Sequence, residues 1–253
     1  MEVVTPVPTA APQDQWRLLD VQAHDTRLAQ LAHRRRTLPE HAELERLGRR
    51  RRALADELVV ARTAASDLRR ELAKAEADVE QVRSRVVRNE ARLDAGRGSA
   101  KDLQALQHEL GTLGERQSVL EDAELEVMQR LETAEAGGGE LEKQLVGVDA
   151  EIGAVEGRRD ATLAAIDTEA ATEQSARAAA AAGVPAELLA LYEKIRNASG
   201  GVGAARLYQR RCEGCRLELT PTDLGRFRSA GEDAVLRCEE CGRILVRTPD
   251  SGL

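Results

Sequence analysis

Apolar residues recur from Leu44 to Leu93 at spacings that alternate between three and four, through Leu47, Leu54, Leu58, Ala61, Ala65, Leu68, Leu72, Ala75, Val79, Val82 and Val86; only Arg51 and Asn89 are polar in the series. A period of about 3.5 residues keeps one stripe facing a partner only if the helix supercoils left-handedly, so the segment specifies a coiled coil. A second seam runs from Leu103 to Val155 through Leu106, Leu110, Leu113, Leu120, Val127, Leu131, Leu141, Leu145, Val148 and Ile152, with Gln117, Glu124 and Gly138 as its exceptions. The stretch Asp94-Ala-Gly-Arg-Gly-Ser-Ala100 between the seams holds two glycines, and Ser99 is placed to cap the second helix. So short a connection makes neighbouring helices antiparallel, which predicts a hairpin with its tip near 95–100; a parallel dimer rod is the competing arrangement.

Two further patterns support the pairing. Pro39 breaks the first arm near 37–40, and at the matching height the second seam slips, Val155 being followed by Leu163 and Ile166. Residues 14–95 carry 18 basic and 15 acidic groups, whereas 100–182 carry 7 basic and 18 acidic groups, so flanking charges favour the contact between arms. Aromatic residues are 2% of the chain and charged residues 32%, too few large apolar groups for an extensive globular core. The fold class predicted is mainly α: a long antiparallel coiled-coil helical hairpin with a small C-terminal β zinc ribbon. The expected organisation is a disordered N-terminus over 1–13, the hairpin over 14–183, a short helix and linker over 184–203, the ribbon over 204–248 and a tail over 249–253. Gly183 and Pro185 end the long helix and open the short one, expected over 186–196. The linker Gly200-Gly201-Val202-Gly203 permits several orientations of the ribbon.

The cysteines carry the chemistry. All four lie in two pairs, Cys212-Glu-Gly-Cys215 and Cys238-Glu-Glu-Cys241, at the spacing with which two turns place four thiolates on one tetrahedral ion. One structural Zn²⁺ is therefore predicted, and four sulfurs would leave no open position for catalysis. Redox or disulfide use is the alternative; it is disfavoured because no secretory signal or βαβ context is visible. No run of apolar residues is long enough for a membrane span. Strands are expected over 206–211, 234–238 and 244–247. Gly242 after Cys241 suits a turn beneath the metal, and Arg216 takes the equivalent place after Cys215.

Arg206, Arg210, Arg211, Arg216, Arg226 and Arg228 are the candidate contacts to nucleic acid or a protein partner. They would grip phosphate if gathered on one face, although Tyr208 and Phe227 are the only aromatic residues of the ribbon available for stacking. A solvated mixed-charge surface is the plainer reading. The run Arg49-Arg50-Arg51-Arg52 scatters around a helix, and His24, His33, His41 and His108 form no ligand pattern. Gly137-Gly138-Gly139 marks either a bend or a tolerated weakness in the second arm.

Leu18-Leu19-Asp20-Val21-Gln22, the Leu38-Pro39 break and the two knuckles, the second continuing as Gly242-Arg243-Ile244-Leu245-Val246, together resemble a family of bacterial four-cysteine zinc-ribbon proteins with a long N-terminal coiled-coil hairpin, found in actinobacteria, chlamydiae and epsilonproteobacteria. The resemblance spans nearly the whole chain. It implies four cysteine ligands and a non-enzymatic adaptor or chaperone-like role, in some members for secretion and motility machinery, with nucleic-acid binding by the ribbon also suggested. A cytoplasmic protein with a protein partner, no membrane contact and no small-molecule substrate is expected, as monomer or homodimer; the alternative is a nucleic-acid-binding protein that uses the ribbon to contact DNA or RNA.

Overall fold

The computed structural model describes residues 9–253, which divide into two compact units: Ala42–Glu156, and the residues up to His41 together with Gly157–Leu253. The expected disordered segment at 1–8 lies outside the described residues. The elements are α1 (Pro12–Arg36), α2 (Pro39–Asp94), α3 (Ala100–Ala182), α4 (Ala186–Ala198), β1 (Ala204–Tyr208), β2 (Arg211–Cys212), α5 (Pro221–Ser229), β3 (Ile244–Val246) and a 3-10 turn at Pro249–Ser251. The chain is mainly α, an antiparallel coiled-coil hairpin with a small C-terminal sheet region.

In the unit Ala42–Glu156, α2 and α3 bury the two predicted seams against each other. Leu47, Leu54, Leu58, Ala65, Val79 and Val82 face Leu113, Val127, Val148 and Val155. The helices meet at a turn of Ala95–Ser99, where the Asp102 amide donates to Ser99 Oγ and the Ser99 amide donates back to Asp102 Oδ2, closing the start of α3. Cross-arm ion pairs flank the seam, among them Arg51–Asp149 at 2.6 Å, Arg62–Glu142 at 2.8 Å, Arg69–Glu135 at 2.5 Å and Arg83–Glu121 at 2.6 Å. Their side chains are exposed, so they set register more than they add stability. Arg51 sits on the seam in sequence but swings its guanidinium outward to Asp149, while Asn89 stays buried with its amide nitrogen unpartnered. No helix break occurs at Gly137–Gly139: α3 runs through it, and Gly138 lies buried with Ala61, Ala65 and Ala134 around a hollow that the small residues of both arms leave between them.

The other unit joins α1, the last turns of α3 and α4 to the cysteine-bearing segment. The break before Pro39 is present, α1 ending at Arg36 and α2 starting at Pro39. Leu38, freed from the helix, packs with Leu31 on Ile166 and Leu163, which explains the slip in the second seam. Three strands form a sheet in the order β2-β1-β3, with β1 antiparallel to β2 and parallel to β3. Residues 234–238 are not a full strand as expected; they make isolated bridges, Ala234 with Thr9 and Arg237 with Ile244. The α5 helix was not anticipated, although Thr220-Pro-Thr-Asp223 is a helix start: the Asp223 amide donates to Thr220 Oγ1 at 3.2 Å and Pro221 opens the first turn.

Three boundaries differ from expectation, each because backbone polar groups found partners. Residues 9–13 are ordered: the Ala10 amide donates to Asp233 O at 2.8 Å and α1 begins at Pro12. The tail at 249–253 belongs to the sheet region, since the Gln209 and Arg210 amides donate to Asp250 O and Ser251 O, and buried Ser251 donates its hydroxyl to Leu207 O. The linker is anchored: the Gly201 amide donates to Arg196 O at 2.9 Å and the Gly203 amide to Gln22 Oε1 at 2.7 Å. Gly203 lies against Tyr192 so closely that a Cβ would stand 2.7 Å from its carbonyl, which admits no other residue without rearrangement.

Candidate metal centre

β2 delivers Cys212, the turn after it Cys215, and the segment after α5 delivers Cys238 and Cys241. Among the described residues, these four are the group whose ligand atoms converge, all within 4.8 Å of one another. The sulfurs of Cys212 and Cys241, and of Cys215 and Cys238, are 3.8 Å apart. A tetrahedron with Zn–S bonds of about 2.3 Å has edges of about that length, whereas a disulfide would need about 2.05 Å. The four cysteines are not bonded to one another. The donor set thus fits one structural zinc ion, and four thiolates fill its coordination sphere.

Each knuckle is a tight turn. The Arg216 amide donates to Cys212 O at 2.7 Å and the Gly242 amide to Cys238 O at 2.8 Å. Both residues take the left-handed conformation, with φ of 64° at Arg216 and 70° at Gly242. The first knuckle accepts there the strain of a side chain that the second avoids with glycine. Backbone amides reach the sulfurs, from Gly214 and Cys215 to Cys212 and from Glu240 and Cys241 to Cys238. Burial pushes the Cys212 and Cys238 thiols up in the metal-free protein. At Cys241 burial pushes the same way, but hydrogen bonds from the Arg243 backbone and side chain outweigh it and bring the thiol down to about 7. A divalent cation would deprotonate all four.

Beneath the knuckles, Cys212 and Cys238 join Ala205, Leu207, Phe227, Leu236 and Leu245 in one buried cluster. On the other side of the sheet, Ala204, Val235, Ile244 and Val246 join Leu18, Val21, Leu188, Tyr192 and Ile195 of the helices. A polar network completes that base. Asp25, its side chain 2% exposed, accepts from Arg177 Nε at 2.7 Å and from the Tyr192 hydroxyl at 2.7 Å, with Arg196 Nε 3.3 Å away. Burial and the Asp25 carboxylate keep the Tyr192 phenol neutral, its pKa pushed far up.

The six candidate arginines come from two segments, four from the β1–β2 region and two from α5. Arg206, Arg210, Arg211 and Arg216 lie on or beside the β1–β2 hairpin; Arg210 donates to Gly252 O, Arg211 to Arg216 O, and Arg206 has Asp250 at 4.0 Å. Arg226 is engaged by Glu239 and by Asp223 at 3.5 Å and lies over the Phe227 ring at 5.3 Å. Arg228 lines a different hollow, of about 740 Å³, with Trp16, Phe227, Pro249 and Leu253. Trp16 is 43% exposed, its indole N–H donating to Arg247 O at 2.7 Å. Arg243 and Arg247 were not singled out from sequence. Arg243 donates to the carbonyls of Ser199, Val202 and Gly214, and Arg247 to those of Phe227, Ala230, Gly231, Glu232 and Ala234. Nothing in a sequence distinguishes an arginine that clamps carbonyls from one in water. The Arg49–Arg52 run is spread as expected, with Arg49 toward Glu45, Arg50 toward Glu151 and Arg51 on Asp149. His24 hydrogen-bonds Glu173 and His41 the Arg35 carbonyl.

Residues 21–200 match the CT398-like coiled coil hairpin domain, and residues 211–245 the C4-type zinc ribbon domain. The chain belongs to the CT398-like hairpin family. An uncharacterized protein of Mycobacterium tuberculosis is 38% identical over 230 residues, covering 91% of this chain and 94% of that one. A solved structure from Mycobacterium smegmatis superposes with a TM-score of 0.84 at 36% identity, over 95% of this chain and all of that one. CT398 from Chlamydia trachomatis superposes with a TM-score of 0.67 at 19% identity, over 93% of this chain and 98% of that one, and shows that the fold is shared. The resemblance read from the sequence is therefore correct for family, fold and metal. No described helix is long and apolar enough to cross a membrane.

Proposed function

We propose that the protein is a non-enzymatic adaptor of the bacterial cytoplasm that docks a protein partner through its zinc-ribbon unit, with no small-molecule substrate. The observation that carries this reading is the character of the ribbon surface. Its arginines are divided between two places and interleaved with Glu213, Glu218, Asp223, Glu239 and Asp250, which dilutes any attraction to phosphate. The hollow at Trp16, Pro249 and Leu253 offers instead an exposed aromatic ring beside apolar groups, with Arg228 and Glu232 at its walls, the kind of mixed surface that anchors protein contacts. A closed four-sulfur site supports a structural and not a catalytic role for the metal.

Nucleic-acid binding is the second reading. It rests on the pocket of about 420 Å³ that Tyr208, Arg211 and Arg216 form beside the first knuckle. Fluorescence anisotropy of the zinc-loaded protein with single- and double-stranded DNA and RNA, at low and near-physiological salt, separates the two. The adaptor reading expects no binding at near-physiological salt and a co-purifying protein whose retention is lost in Trp16→Ala. Tight, salt-sensitive nucleic-acid binding that disappears in Arg211→Ala/Arg216→Ala would replace it with the second.

A further inference from the structure

The sheet is one backbone thick, and its two faces serve two cores. Successive residues alternate between them: Ile244 and Val246 of β3 and Ala204 of β1 enter the helical base, whereas Leu245 and Ala205 enter the cluster that holds Cys212 and Cys238. Val235 and Leu236 divide in the same way. A strand that loses its place on one face therefore loses it on the other.

Hydrogen bonds reinforce this coupling around the metal ligands. The Cys238 amide donates to Arg243 O at 3.0 Å and the Leu245 amide to Leu236 O at 2.9 Å, so the second knuckle and β3 form one piece. The Arg243 side chain, two residues beyond Cys241, donates to Ser199 O at 2.9 Å, Val202 O at 3.1 Å and Gly214 O at 3.3 Å. It thus ties the end of α4, the linker and the first knuckle together. From α1, Gln22 holds the same linker, accepting from the Gly203 amide and donating to Gly201 O at 3.2 Å.

We propose that zinc occupancy controls the packing of the helical base: the metal holds the strands in the register that the opposite face of the sheet needs to clasp α1 and α4, and its loss unsheathes Leu18, Val21, Leu188 and Tyr192. Zinc then acts as a switch on an apolar helical surface as well as a fastener of its own knuckles. The competing possibility is that the Asp25–Arg177–Tyr192 network, which includes no ribbon residue, holds α1, α3 and α4 together without the metal. The inference stands on the four-cysteine site and does not depend on the adaptor reading.

Hydrogen exchange by mass spectrometry on the full chain, reduced, zinc-loaded and then stripped with EDTA, decides between them. The expected result is that segments 12–25 and 186–198 exchange about tenfold faster or more without zinc, in step with 204–247, while 42–156 is unchanged. Segments 12–25 and 186–198 that keep their protection while 204–247 exchanges freely would overturn the proposal. The coupling also runs in reverse. Gln22→Ala, with all four ligands retained, should transfer zinc to a chromogenic chelator several-fold faster, while Leu47→Ala in the other unit transfers it at the wild-type rate. Equal rates for wild type, Gln22→Ala and Leu47→Ala would also overturn it. If Gln22→Ala does not fold, Tyr192→Phe, which keeps the ring and removes only the hydroxyl, takes its place with the same expected and overturning outcomes.

Discussion

The two units bury their residues by opposite strategies. In Ala42–Glu156 the core is a single file of Leu, Val and Ala between two helices, rimmed by exposed ion pairs, and each buried residue depends mainly on its near neighbours. In the other unit the largest buried side chains, Tyr192 and Phe227, lie on opposite sides of a three-stranded sheet, and segments far apart in sequence share each core. The first arrangement distributes small contributions along its length. The second concentrates stability in a metal, a buried carboxylate and a few large side chains, so single changes there should have effects the hairpin never shows.

The strongest break in that contrast is Cys212→Ser. With one of four ligands removed, a large part of a binding energy that is on the order of 10 kcal/mol for a complete site is forfeited, and the ribbon should unfold while the helical signal of 42–156 persists. Far-UV circular dichroism that keeps most of its helical intensity, together with loss of ribbon amide dispersion by NMR, is the expected pattern. Tyr192→Ala comes next: it empties a fully buried site and should cost about 3–5 kcal/mol by denaturant unfolding. Asp25→Ala removes the buried carboxylate that Arg177, Arg196 and the Tyr192 hydroxyl share, leaving the two guanidinium groups with Glu193 alone, and should cost about 3 kcal/mol, reduced to the extent that these partly exposed groups reach water. In the hairpin, Asn89→Leu removes a buried amide nitrogen without a partner and should stabilise by about 1 kcal/mol. Arg69→Ala, which removes one exposed cross-arm pair, should leave the melting temperature within error.

The pH response sharpens the same comparison. The metal-free site holds protons on Cys212 and Cys238, whose thiols burial pushes up, and Cys241 titrates near 7. Zinc binding must release those protons, so zinc affinity should rise with pH, and the stability zinc lends should fall as pH is lowered. Zinc titrations between pH 6 and pH 8 with measured proton release would check the sign; no comparable change is expected in the unfolding of the hairpin.

Legibility followed the range of the interactions. Heptad spacing, the Pro39 break, the Gly98-Ser99 tip and the paired cysteines are local patterns, and each appears where the sequence places it. The helix at Pro221–Ser229 was also legible, since Thr220 and Pro221 mark its start, but a stretch between two knuckles reads as loop when the ribbon is pictured as strands alone. The motif Leu18-Leu19-Asp20-Val21-Gln22 was recognisable without its reason, which is spatial: Leu18 and Val21 enter the shared core, and Gln22 holds the linker.

The chain's sequence alone settled the hairpin, its register break and the four-sulfur site, because helical period, proline geometry and ligand spacing act over a few residues. Tertiary structure alone decided that residues 9–13 and 249–253 are part of the ribbon unit, that the glycine linker is anchored, and that Arg243 and Arg247 clamp carbonyls while Arg228 borders an apolar hollow. Those outcomes depend on which backbone groups arrive near one another after folding, and buried amides and carbonyls must then find partners wherever the chain has brought them.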